Sequence, residues 1–180
     1  VGATNAANWS GWQQVSDTGY YTDLLADQQD VLHLVFSGNA FLPGLATEER
    51  HRESSECFRC YNLFYRRSAD GGKSWSSLTP ISIEPNSGSD KVSIQQGASG
   101  RLYITWDEGA DWYSGGGRPL DVRMVYSDDG GLSWSTPIIL DGGNLKDRRP
   151  IEGAFTELRD GSLMAVWRYA TDADRSLYYQ

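Results

Sequence analysis

The sequence predicts an all-β protein built from four-stranded antiparallel units repeated along the chain. Three observations carry that prediction. Two nearly identical strings recur, "SADGGKSW" over Ser68–Trp75 and "SDDGGLSW" over Ser127–Trp134. Three longer runs, "VLHLVFS" (Val31–Ser37), "RLYITWD" (Arg101–Asp107) and "SLMAVWR" (Ser162–Arg168), align without gaps. The composition agrees: 7 Trp, 10 Tyr, 5 Phe and 20 Gly among 180 residues suit many short strands and tight turns. No stretch keeps a helical period for more than a couple of turns.

The aligned runs set the unit. Leu32, Leu102 and Leu163 match, as do Phe36, Trp106 and Trp167. Each run follows a turn, "DQQD", "ASG" or "RDG", and each turn follows an earlier run, "YYTDLLA", "KVSIQQG" or "IEGAFTEL". Strands A and B are thereby placed. The boxes come next, each after a third run, "NLFYRR" or "DVRMVY", and before a fourth, "SSLTPISI" or "STPIIL". Run, glycine-containing turn, run is a hairpin signal, so each box is a C–D turn.

Inside the box the residue types have separable roles. Ser68 and Ser127 open the turn. Asp70 and Asp129 accept hydrogen bonds from nearby backbone N–H groups. Gly72 and Gly131 supply a backbone conformation that other residues resist. Trp75 and Trp134 are large enough to pin the loop onto its own sheet.

The first full unit spans residues 20–84, the second 91–141, and an incomplete third 151–180. "NWSGWQQVS" resembles the stretch just after each box, so residues 9–15 are expected to form an outer D strand. The order is then D, ABCD, ABCD, ABC. Four-stranded units of this length in radial array describe a β-propeller. Known propellers carry about 4–8 blades. About three blades' worth is too few to close a ring. The expectation is therefore a segment of a longer chain, or further blades from a partner chain.

Charge and hydropathy exclude some classes. The net charge is −8, which argues against nucleic acid and anionic membrane as partners. No apolar run approaches the roughly 18 residues of a spanning helix. The opening "VGATNAANWS" has neither the basic nor the apolar region of a signal peptide, as in a mature or trimmed terminus. Asn8–Ser10 fits a glycosylation sequon. Cys57 and Cys60 form "CFRC", open to a local disulfide, a reduced pair, or a zinc half-site with His51. No metal site is assigned, and no cofactor is called for.

The two boxes resemble the Asp-box, or bacterial neuraminidase, repeats of the sialidase superfamily. The resemblance covers nearly the whole chain as a repeat pattern and implies a six-bladed propeller. It implies that the boxes lie on the rim, away from substrate, and build turns. Asp boxes also occur in proteins that cleave no sialic acid.

A second resemblance concerns chemistry. "RRPIEGAFTELRDGSLMAVWRYA" is similar to the sialidase segment in which a Glu opens strand A and an Arg closes strand B. Here these are Glu152 and Arg168. In a hairpin folded at Asp160-Gly161 the two meet at the end opposite the boxes. The resemblance implies that the Glu assists a tyrosine nucleophile, the known exception among glycosidases. It implies that the Arg belongs to a three-arginine clamp on a substrate carboxylate, a task the planar guanidinium suits. The same pair would also make an ordinary ion pair at a strand end.

Other positions depart from the family. Its N-terminal Arg-Ile-Pro motif is absent. The nearest string, Arg149-Pro150-Ile151, stands in another blade, and Arg149 is kept as a candidate substrate-binding residue. Asp23 fits the acid/base only by chain order. The nucleophilic Tyr and third Arg are expected beyond residue 180, and Tyr178 and Tyr179 belong to a C strand. Long B–C connections share the face of Glu152. In the second, Trp112 and Tyr113 could stack on sugar rings or cover the blade edge. Asp107, Glu108 and Asp111 read as a solvated acidic turn ahead of a cation site.

Two functions arise from the resemblance. One is a sialidase-like glycoside hydrolase acting on or binding sialylated or acidic glycans or glycoproteins. The other is a non-catalytic Asp-box propeller serving as an extracellular binding or structural module. Either implies a secreted or cell-surface protein.

Overall fold

The structure is a computed structural model that describes residues 11–17, 19–38, 61–83, 87–109, 119–141, 150–169 and 177–179. Every strand among them pairs antiparallel. The first sheet contains β1 (Thr22–Ala26), β2 (Leu32–Gly38), β3 (Asn62–Ser68) and β4 (Thr79–Ser82) in that order. The second contains β5 (Gly88–Gln96), β6 (Leu102–Gly109), β7 (Pro119–Ser127) and β8 (Ile138–Asp141) in that order. The third pairs β9 (Pro150–Glu157), β10 (Leu163–Tyr169) and β11 (Leu177–Tyr179). The sequence-derived A, B, C and D strands of the two full units are these eight strands. Among the described residues no helix is long and apolar enough to cross a membrane.

Turn chemistry explains the hairpins. Asp30, Gly100 and Gly161 hold the same left-handed place in the three A–B turns, with φ of 59°, 87° and 83°. Asp is among the few side chains that tolerate it. In the boxes the serine hydroxyl is central. Ser68 Oγ donates to Asp70 at 2.7 Å and accepts from Gly72 N–H at 2.9 Å. Ser127 does the same with Asp129 and Gly131, both at 2.8 Å. Asp70 also takes the N–H and hydroxyl of Ser74, at 2.9 and 2.6 Å. Asp129 takes the equivalent groups of Ser133, at 2.9 and 2.5 Å. These acceptor bonds hold both carboxyls down at about 2, with the Ser74 and Ser133 hydroxyls contributing most.

The sheets pack face to face. Val35, Leu63 and Tyr65 of the first meet Val92, Ile94, Ile104, Trp106 and Val125 of the second. Tyr103 and Met124 of the second meet Phe155 of the third, and Val122 meets Trp167. Each such large side chain contributes about 1.5–3 kcal/mol on burial. The middle sheet is covered on both sides, so β6 is buried along its whole length.

Two expectations change. Residues 11–17 form no strand, although an outer D strand was expected over 9–15. Gln14 instead bonds the carbonyl of Ser16 and the carboxylate of Asp17, at 3.2 and 2.9 Å. Such local bonds compete with strand pairing. Val15 still packs against the Leu34, Phe36 and Phe64 cluster, as Trp75 does within its own sheet. Trp134 packs against the cluster that its own sheet shares with the first, and lies edge-on to Tyr65 of that neighbouring sheet, centroids 5.0 Å apart. The acidic turn also fails: Asp107 and Glu108 are buried within β6. Glu108 accepts from the hydroxyls of Ser82, Ser87 and Ser89 and from the Trp106 indole N–H. Those four donors satisfy a buried carboxylate that would otherwise be costly.

Candidate functional site

Matching bulges shape one end of the inner strands. In β5 the register passes from Asp90↔Asp107 to Ser93↔Thr105, which sets Lys91 and Val92 opposite Trp106. In β9 it passes from Ile151↔Arg168 to Ala154↔Val166, which sets Glu152 and Gly153 opposite Trp167. Lys91 and Glu152 therefore occupy the same place in successive sheets. Both are left-handed, with φ of 52° and 56°. For a side chain with a Cβ that costs about 1–2 kcal/mol. A bulge re-aims the side chains it carries.

The second bulge residue has its own constraint. A Cβ at Gly153 would stand 2.6 Å from Val122 Cγ1. Only glycine lets β9 approach β7 this closely.

The re-aimed side chains form a row. The Lys91 ammonium lies 4.7 Å above the Tyr21 ring and 4.0 Å from Glu152 Oε1. Arg168 Nε donates to Glu152 Oε2 at 2.6 Å and its Nη2 to Oε1 at 3.1 Å, a two-pronged pair. All three side chains are partly exposed. The Arg168 bonds, foremost, and the nearby Lys91 charge hold the Glu152 carboxyl below its ordinary value, so it is ionised at neutral pH. Its left-handed backbone is met from the middle sheet by Asp107, which accepts Glu152 N–H at 2.9 Å on Oδ1 and 2.8 Å on Oδ2.

The row stands at the opposite end of the strands from the boxes. Ser68 pairs with Leu32, which pairs with Ala26, at the A–B turn end of the first sheet. Arg168 pairs with Ile151 at the other end of the third. Glu152 and Arg168 are thus brought together where the sequence put them. The guanidinium edge expected to face a substrate carboxylate is engaged by Glu152.

Asp23 is committed elsewhere. Its carboxylate accepts from Leu24 N–H, Ile94 N–H and Ser93 Oγ, at 2.9, 2.9 and 3.2 Å, and ties β1 to β5. Arg149, Trp112, Tyr113, Asp111, His51, Cys57 and Cys60 lie outside the described residues. Sequence reasoning missed Lys91, Tyr21 and Asp107 as neighbours of the pair. The aligned strands carried a signal for Lys91, because it and Glu152 sit equally far before their A–B turns.

No family model matches the chain, and no curated protein matches it. Solved structures do. A Hadza microbial sialidase superposes with a TM-score of 0.58 at 17% identity, over 88% of this chain and 33% of its own. A Penicillium chrysogenum α-L-arabinanase complexed with arabinobiose gives 0.57 at 15% identity, over 89% and 45%. An ulvan lyase from a polysaccharide lyase family gives 0.55 at 12% identity, over 95% and 40%. At these identities the likeness is one of fold, a propeller-type array of antiparallel sheets. The chain spans less than half the length of each of the three.

Proposed function

We propose that this chain belongs to a carbohydrate-active propeller, in which the row at Glu152 and Arg168 recognises an acidic, sialic-acid-like sugar. One observation carries the reading: two cations, Arg168 and Lys91, flank one ionised carboxylate at the strand end opposite the boxes. A sugar carboxylate entering here exchanges with Glu152 for the guanidinium fork. The displaced Glu152 then accepts from a sugar hydroxyl or a phenol proton. The three solved neighbours are a sialidase, an arabinanase and a polysaccharide lyase, and a sugar substrate is in keeping with that fold. As an enzyme, the protein is a sialidase-like glycoside hydrolase on the cell surface or outside the cell.

A second reading, a non-catalytic glycan-binding module, is favoured by Asp23. Its carboxylate serves backbone and hydroxyl donors between two sheets rather than facing a substrate.

The experiment is hydrolysis of a fluorogenic sialoside together with calorimetric binding of a sialoside. Wild type is compared with Arg168→Lys and Glu152→Gln. Lys keeps the charge and loses the planar fork, so binding should fall by about tenfold or more. Binding without hydrolysis selects the module. A wild type that neither binds nor cleaves, or variants with full activity, would remove the sialic-acid reading.

A further inference from the structure

The carboxylate of Asp107 reaches Glu152 from a different sheet. Asp107 is 4% exposed, and both its oxygens lie within 2.9 Å of Glu152 N. The neighbouring Gly153 N–H also favours its charged form. These two N–H groups belong to the bulge opposite Trp167, where the ladder with β10 shifts register.

The matching bulge has a different residue at the corresponding position of the sheet before it. Lys91 holds the same left-handed place opposite Trp106. The residue of the first sheet that corresponds to Asp107 is Ser37, one position after Phe36 as Asp107 follows Trp106. Among the described residues, Ser37 Oγ has no hydrogen-bond partner. The corresponding position is a serine in one sheet and a buried carboxylate in the next, although burying a carboxylate is costly. The carboxylate goes with the position that bears Glu152.

We propose that Asp107 is a positioning residue for the Glu152–Arg168 pair. Through the N–H group of Glu152 it fixes the left-handed turn of backbone that lays the Glu152 carboxylate on the Arg168 fork. Its importance for sugar recognition rests on the function proposed above; the positioning itself does not.

Charged groups around Asp107 come from several strands. Asp90 and Lys91 lie on β5, Glu152 on β9 and Arg168 on β10, with Glu108 next in its own strand. Asp121 and Arg123 lie on β7, flanking its register partner Val122. Burial, above all, and the negative charges of Glu152 and Asp90 push the Asp107 carboxyl up to about 7. Near neutral pH the clamp therefore alternates between a charged acceptor and a weaker neutral one.

The test tracks the backbone amide resonances of Glu152 and Gly153 from about pH 5 to about pH 9. In the wild type both should shift together through one midpoint near 7, with the Arg168 Nε–H signal moving alongside. In Asp107→Asn the shift should vanish. Arg168→Lys should keep the amide titration whether or not any sialoside binds, which separates failure of this inference from failure of the sugar reading. Flat wild-type amides, or an unchanged titration in Asp107→Asn, would overturn the proposal. Should Asp107→Asn not fold, the wild-type carboxyl carbon of Asp107 decides. A midpoint shared with the two amides supports the clamp, and a different midpoint sinks it.

Discussion

Gly131 rests on the hydroxyl of Tyr65 in the neighbouring sheet. A Cβ at residue 131 would stand 2.0 Å from that oxygen. The second box is thus fitted to the first sheet as well as to its own. The equivalent glycine of the first box, Gly72, meets only Leu32 Cδ1 at 3.6 Å.

This pair of glycines separates backbone strain from crowding. Both are left-handed, with φ of 87° at Gly72 and 82° at Gly131. Gly72→Ala should cost about 1–2 kcal/mol, the price of the conformation alone. Gly131→Ala should cost about 1–3 kcal/mol more, because the new methyl must displace a buried phenol. Urea unfolding of both variants measures the difference. Equal losses would mean that Tyr65 yields without resistance.

Tyr65 also ends a buried relay. Its hydroxyl lies 2.6 Å from His33 Nδ1, and His33 Nε2 lies 3.0 Å from Asp27 Oδ2. Burial, foremost, pulls the His33 pKa below its ordinary value, and Asp27 opposes that only in part. The folded state therefore favours neutral His33, with Nε2–H donating to Asp27 and Nδ1 accepting from Tyr65. Tyr65→Phe strands a buried acceptor and should cost about 1–3 kcal/mol. The unfolded chain binds the His33 proton more readily. Stability from this residue is full above about pH 6.5 and is lost as pH falls through the lower folded value. Denaturant midpoints measured across that range check the sign. In an Asp107→Asn, Glu108→Gln background, which removes the two carboxyls whose raised pKa acts in the opposite sense, greater stability at pH 5 than at pH 7 would contradict the relay as described.

The box carboxylates govern a separate, more acidic limb. Asp70 and Asp129 titrate at about 2 in the folded protein against an ordinary 3.8. A lowered carboxylate stabilises above its unfolded value, and that contribution fades as pH falls toward 2. In Asp70→Asn with Asp129→Asn, the decline in stability between these two values should be shallower than in the wild type. Thermal unfolding monitored by circular dichroism at several acidic pH values reads this directly.

Glu152 offers a test of where strain is stored. Its backbone is left-handed without being glycine. Glu152→Gly should leave stability unchanged or raise it by up to about 1 kcal/mol, since the conformational cost goes and only a partly exposed ion pair is lost. Sialoside binding, if the proposed function holds, should vanish in the same variant. A loss of several kcal/mol in stability would instead make the pair a structural tie.

Much of this was readable because it is local. The boxes close on themselves through Ser68, Asp70 and Gly72, so their pattern survives in a linear string. The three A–B hairpins announce themselves through turn residues such as Asp30, Gly100 and Gly161. Glu152 and Arg168 could be paired because the Asp160-Gly161 turn folds one strand back on the next. The sequence by itself determined the strand order within each of the three sheets, the turns and that pair.

Tertiary structure decided what passes between sheets. Asp107 and Glu108 look like a loop in the string, yet β6 runs on through Gly109 with a sheet on either side. Lys91 reaches Tyr21 and Glu152 only because successive inner strands lie side by side with their bulges at one level. Trp134 and Gly131 belong to one box and pack on Tyr65 of another sheet. The physical reason is the range of the interactions. Hydrogen-bonded turns depend on residues a few places apart, whereas lateral packing depends on which side chains two separate sheets bring within van der Waals reach.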